Sequence, residues 1–318
     1  MSADGEAPPR PRRRLPVTPG PVRIRLRRPR APFPLGSPRW PTTVPRPAAS
    51  RRLETNYDTA WARRYPARVA RLLVNELVTG PVIRTVADPR VTGLDRIAHL
   101  DGPVVFAANH ASHLDTPLLL SVIPDRWRHR TVVAAAADYF FDTRLKSAFF
   151  ALWLAAIPIE RRRVNRDSAN RASALLSEGW SLLIYPEGGR TPDGWGRPHS
   201  AGAAWLAERS GRPLVPVYVE GTRRILARGS WRLRPGSAAV TFGRPLVPQG
   251  DIRRLAADLE RAVDALGDEQ GSDWWTARRR AAAGSTPSLT GPAAGAWRRS
   301  WALGDRRRRS QPPPRWPR

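Results

Sequence analysis

Between residues 103 and 267, short and wholly apolar runs alternate with longer stretches patterned at helical spacing, and this alternation limits the fold more than any other feature of the chain. Pro103–Ala108 and "TVVAAAA" read as buried strands, as do the apolar runs within "SLLIYPEGG", "PLVPVYVEG" and "SAAVTFGRPL". The stretches "NRDSANRASALLSEG", "AGAAWLAERSG" and "DIRRLAADLERAVDALG" read as helices. In the last, Asp251 is placed to cap, and Ile252, Leu255, Leu259, Val263 and Leu266 share one face. Strands that are apolar on both faces need cover on both. The pattern therefore predicts an α/β domain with a mostly parallel central sheet and helices on either side. In such sheets, sites gather in the loops beyond the strands' C-terminal ends. Residues 60–85 also have helical spacing, interrupted by Pro66 and Pro81.

The ends of the chain differ from this core. Residues 1–54 hold 13 arginines against 3 acids, and residues 268–318 hold 11 against 4. The two ends also contain 19 of the 34 prolines, with little periodicity that could offset the entropy of ordering them. Both are expected to be disordered tails, 1–54 and 268–318, around one domain at 55–267. The total charge of +27 suits an anionic membrane surface or nucleic acid. Nucleic acid is the weaker reading. Arginine dominates throughout, with Lys146 the only lysine, and the core lacks interleaved aromatic and basic residues.

The absence of cysteine excludes disulfides and thiolate chemistry. No apolar stretch before residue 55 resembles a secretory signal. Ser147–Ile159, the longest apolar run, falls short of the roughly 20 residues that span a bilayer. The expectation is a soluble or peripheral protein, with the segment Phe140–Ile159 either in the core or dipping into a membrane interface.

Three polar constellations follow expected strands. In "AANHASHLDTPLLL", His110, His113 and Asp115 lie within six residues, in a chain with five histidines. A metal site would want a third ligand with compatible spacing, and His99, His129 and His199 do not supply it. Proton transfer suits the pair His110 and Asp115 better, since an imidazole takes a hydroxyl proton and a carboxylate fixes its tautomer, although Asp115 alone also reads as an ordinary anion at a helix N-terminus. On one helix, side chains five residues apart diverge. The pair works only with His110 in the loop and Asp115 in the turn entering a helix, and Thr116 and Pro117 mark such a helix start. In "IPIERRR", Arg161 is placed to clamp an anion, or is one charge of a solvated run. In "YPEGGRTPDG", glycines allow close backbone approach to an anion and Arg190 adds fixed charge, although Thr-Pro-Asp-Gly is also an ordinary turn.

In this order, "NHASHLD", "PIERR", "YPEGGR" and "LVPVYVEGT" resemble the four blocks of the glycerolipid acyltransferases, the 1-acylglycerol-3-phosphate acyltransferase family, over about residues 85–250. The resemblance implies a glycerol-3-phosphate acyltransferase-like fold. It implies a catalytic dyad of His110, as general base, and Asp115, and substrate-binding residues Asn109, Arg161, Glu187, Gly188, Arg190 and Pro216. It implies no metal or cofactor, with acyl-CoA or acyl-carrier protein as co-substrate. The implied partners are a lipid acceptor, an acyl thioester and an anionic membrane surface, in a cytoplasmic protein peripheral to the inner face of the cell membrane. Two departures bear on the acceptor. Tyr185 and Gly189 stand where the family usually has Phe and Thr, and His199–Ser200 stand in place of a Phe-Lys pair. The rival readings are a non-catalytic binding module driven by the tails, and a metallohydrolase.

Overall fold

The computed structural model describes residues 57–159, 166–191, 193–230, 232–292 and 298–299. Seven strands form one sheet: β1 (Pro89–Thr92), β2 (Val105–Ala108), β3 (Thr131–Ala136), β4 (Ala156–Ile159), β5 (Ser181–Ile184), β6 (Leu214–Glu220) and β7 (Ala238–Phe242). Their order across the sheet is β1-β7-β6-β2-β5-β3-β4. Only the β6–β7 pairing is antiparallel, so β4, β3, β5, β2 and β6 run one way and the β1–β7 pair runs the other. The mostly parallel sheet expected from the apolar strands is thus present, with a reversed edge.

Strand alternation sorts the core into two layers. Phe106 and Ala108 of β2 face one side, Val105 and Ala107 the other. On the first side lie α1 (Tyr65–Val74), α2 (Gly80–Ala87), α3 (Asp115–Val122), the short α4 (Asp125–Arg128) and α5 (Ala137–Phe140), and α6 (Arg144–Leu154). Ile83, Leu118, Leu119 and Leu154 of these helices pack against Phe106, Val133 and Leu183. On the second side, α7 (Arg166–Ser177), α8 (Gly202–Ser210) and, beyond the short α9 (Thr222–Ile225), α10 (Ile252–Gly271) bring Leu176, Leu206, Leu259 and Val263 against Val105, Val132 and Leu182. Asp251 caps α10 by accepting the Arg254 N–H at 3.0 Å.

Three details differ from the sequence expectation. Pro66 occupies the first turn of α1, where a missing N–H costs nothing, so it starts a helix rather than interrupts one. Pro81, by contrast, follows a π-helical turn, Asn75–Thr79, that joins α1 to α2 without a break in helical backbone. Helix α3 starts at Asp115, ahead of the start that Thr116 and Pro117 mark in the sequence. The packed domain also does not stop at 267. Helix α10 runs to Gly271, α11 (Trp274–Ala282) packs against it, and Leu289 is buried in the second core layer. Single apolar anchors in a polar, proline-containing stretch give no periodicity, which is why 268–292 reads as a tail. The expected tail at 1–54 and most of the last residues lie outside the described residues, as do Glu160 and Arg161.

Candidate active site

Strands β2 and β5 are parallel neighbours, with Ala107 in register with Ile184, so the loops that follow them emerge at one edge of the sheet. From the first loop, His110 Nδ1 lies 2.9 Å from Asp115 Oδ2. The same oxygen accepts the N–H groups of Ala111 and Ser112, at 2.7 and 2.8 Å. Asp115 is completely buried, at the first residue of α3. The carboxylate at the helix start gathers the loop back over itself and sets the imidazole on top. His110 stays in the loop, and Asp115 is the first residue of α3 rather than in the turn before it, a position from which the two side chains still meet.

The second loop closes the site from below. The Tyr185 ring stacks on His110, with centroids 4.0 Å apart and planes 19° apart. Its hydroxyl is 2.8 Å from Thr116 Oγ1, the residue after Asp115. Burial pushes the Tyr185 phenol well above its ordinary range, so it stays protonated as a hydrogen-bonding group. Glu187 holds the histidine's backbone: its Oε1 accepts the His110 N–H at 3.0 Å, and its Oε2 accepts the Arg197 N–H at 3.1 Å. Burial pushes this carboxyl up to about 7, while the two N–H donors pull it back down. Gly188 takes a φ of +65° in the turn, and the Thr191 N–H donates to the His110 carbonyl at 3.0 Å.

His110, Gly188, Gly189 and Arg190 form part of the wall of a cavity of about 1020 Å³. The rest is mainly apolar and comes from both faces of the sheet: Val133, Phe150 and Trp153 on the α6 side, Ile184, Trp205 and Leu206 on the α8 side. His113 lines it too, 2.9 Å from the Tyr139 hydroxyl through Nε2, and burial followed by the nearby Arg190 charge pushes its pKa down to about 4. Arg190 also lies 5.9 Å from the Tyr139 ring centroid. Among the described residues, no three His, Asp or Glu side chains are grouped as metal ligands.

Three of the expected substrate-binding residues have other tasks: Glu187, with both oxygens on backbone N–H groups and outside the cavity wall, Asn109 and Pro216. Asn109 Nδ2 donates to the Val219 carbonyl at 2.9 Å, and Asn109 Oδ1 accepts the Val219 N–H at 2.7 Å. Both amide atoms continue the β2–β6 pairing in side-chain form, so Asn109 holds the loop rather than a ligand. Pro216 is buried in β6, paired with Ala107. Its ring lies against Gly243, close to Leu266 of α10, and it takes no part in the cavity wall. Arg161 lies outside the described residues. The Tyr185 stack, the Tyr185–Thr116 link and the Arg197 N–H on Glu187 have no local signature in the sequence. A tyrosine between an apolar strand and Pro-Glu-Gly was the one visible trace.

Residues 88–220 match the family model described as Acyltransferase. Among curated proteins, the chloroplastic 1-acyl-sn-glycerol-3-phosphate acyltransferase BAT2 of Brassica napus is 29% identical over 167 residues, which cover 49% of this chain and 44% of that protein. The 1-acyl-sn-glycerol-3-phosphate acyltransferase alpha of Homo sapiens is 27% identical over 169 residues, covering 51% and 57%. The chain spans about half the length of the curated relatives it matches. Among solved structures, the 1-acyl-sn-glycerophosphate acyltransferase PlsC of Thermotoga maritima superposes with a TM-score of 0.53 at 22% identity, covering 69% of this chain and 85% of that one, a likeness of fold. Over residues 88–220 the chain is thus similar to acyltransferases, and the curated relatives it resembles there are 1-acyl-sn-glycerol-3-phosphate acyltransferases.

Proposed function

We propose that this domain transfers a fatty acyl group from acyl-CoA or acyl-carrier protein to a hydroxyl of a glycerolipid acceptor, such as a 1-acylglycerol-3-phosphate. One observation carries the reading: a histidine braced at Nδ1 by a buried aspartate lines a large, mainly apolar cavity. With Nδ1 engaged, Nε2 is the nitrogen left for substrate. It takes the hydroxyl proton as the acceptor oxygen attacks the thioester carbonyl, and Asp115 stabilises the imidazolium that forms. The C–O bond forms, the C–S bond breaks, and the imidazolium returns its proton to the departing thiolate. Arg190 neutralises the acceptor's phosphate beside the Gly188 turn, and Arg161 is the second cation that the resemblance implies. The scheme uses no metal and no acyl-enzyme.

One or both substrates live in a bilayer, and the outer side of α1 supports contact with one. Its inner side carries the half-buried Arg68 and the buried Arg71, while Tyr65, Leu72 and Leu73 are exposed on its outer side. Leu77 and Val78 continue the exposed apolar surface, and Leu145 and Phe149 of α6 are exposed as well. Helices with their apolar face outward suit contact with lipid. Among the described residues, no helix is long and apolar enough to cross a membrane. The reading places the protein on the inner face of the cell membrane, in peripheral contact.

The test is thiol release from an acyl thioester by the purified full chain. Release is expected only when a lysolipid is present, and a folded His110→Ala variant should lose about 10²- to 10⁴-fold in kcat. Full turnover by that variant would overturn the assignment.

A further inference from the structure

We propose that the C-terminal segment 285–292, with Arg299, is a clasp that positions His110 from a distance. It pins the loop Asp193–Arg197, which helps hold Glu187, the carboxylate that holds the histidine's backbone. The clasp lies outside residues 88–220, the span that matches the family model.

The links form a continuous series. The Leu289 N–H donates to Asp264 Oδ1 of α10 at 2.9 Å, and the Leu289 carbonyl accepts the Gly196 N–H at 2.8 Å. Two glycines make room for the segment. A Cβ on Gly267 of α10 would stand 2.7 Å from a Leu289 methyl, and one on Gly291 would stand 2.3 Å from the Trp195 ring. Trp195 is buried between the loop and the segment, and its Nε1–H donates to the Arg299 carbonyl at 2.8 Å. The Arg299 guanidinium donates to Asp193 Oδ2 at 2.7 Å, while Asp193 Oδ1 accepts the Trp195 N–H at 3.1 Å. Burial pushes the Asp193 carboxyl up, but Arg299 and the Trp195 N–H outweigh it and hold the group below its ordinary range. Two residues beyond Trp195, the Arg197 N–H reaches Glu187 Oε2, and the other oxygen holds the His110 N–H.

Glu187 is why the series matters. A buried carboxylate needs acceptor work for both oxygens, and each of these two backbone contacts comes from a different loop. If the 193–197 loop drifts, Oε2 loses its donor, the carboxyl reorients, and the His110 backbone moves with it. Asp193, Trp195, Leu289 and Arg299 are positioning residues in this scheme, and none of them lines the cavity.

The kinetic arm of the test rests on the acyl-transfer reading; the exchange arm does not. In the full chain, Arg299→Ala is the mild variant, Leu289→Asp the severe one and Leu289→Met the conservative one. Hydrogen exchange of the Arg197 and His110 amides should quicken at least about tenfold in the first two, with the amides of β2 and β6 unchanged. The kcat for acyl transfer should fall by about ten- to a hundredfold, with the KM for thioester within about twofold, and Leu289→Met should restore both readouts. Unchanged exchange at Arg197 and His110, or a rise shared by β2 and β6, overturns the clasp. If the wild-type chain transfers no acyl group, the enzyme reading fails while the exchange arm still decides the clasp.

Discussion

At the scale of single residues, Tyr185 does two separable things. Its ring lies flat on the His110 imidazole, and its hydroxyl reaches Thr116 at the start of the helix that carries Asp115. Tyr185→Phe keeps the ring and leaves the buried Thr116 hydroxyl without that partner. It should cost about 1 kcal/mol in urea unfolding with kcat within about threefold of wild type. Tyr185→Leu removes the flat surface that fixes the imidazole's tilt, and kcat should fall by about tenfold or more. Equal kcat values for the two variants would mean that the stacked ring does not orient the histidine. The residue type could be read from the sequence; the stack could not, because it joins positions 75 residues apart through the pairing of β2 with β5.

At the scale of elements, the site is held by pairings between strands and loops. Asn109 lengthens β2 by one rung, using a side-chain amide where a backbone would serve, and so anchors the loop that begins at His110. Asn109→Ala leaves the Val219 N–H and carbonyl without those partners. Stability should drop by about 1–3 kcal/mol and kcat should fall, while KM for both substrates stays near wild type. A rise in KM with unchanged kcat would return Asn109 to the ligand-binding role that the resemblance implies. The central strands and the helices α7, α8 and α10 were legible because their apolar periodicity is local. The His110–Asp115 pairing was legible because loop and helix start are marked by neighbouring residues. What stayed hidden depends on non-local closure: the reversed β1–β7 edge, the burial of Pro216 away from the cavity, and Leu289 filling the space over Gly267. One anchor leucine in a polar stretch carries no period to detect.

For the whole molecule, burial of titratable groups sets how stability responds to acid. Burial pushes His113 and His199 down to about 4, from an ordinary 6.5. Between these values the unfolded chain binds protons that the folded chain refuses, so stability is present above pH 6.5 and is lost as pH falls towards 4. Glu187 acts in the opposite sense. Burial raises it to about 7 from 4.5, so its contribution is full below 4.5 and is lost as pH rises through 7. Where the windows overlap, two histidines oppose one carboxyl, and the balance is destabilisation by acid. One net proton corresponds to at most about 1.4 kcal/mol per pH unit, and the partial exposure of His113 and His199 reduces it. Urea unfolding of the wild-type chain should therefore show lower stability at pH 5 than at pH 6.5. In a His113→Gln, His199→Gln double variant only Glu187 of the three remains, and stability should hold level or rise over the same interval. If the double variant loses as much stability as wild type, the acid sensitivity arises elsewhere, and the two buried imidazoles do not set the chain's response to pH.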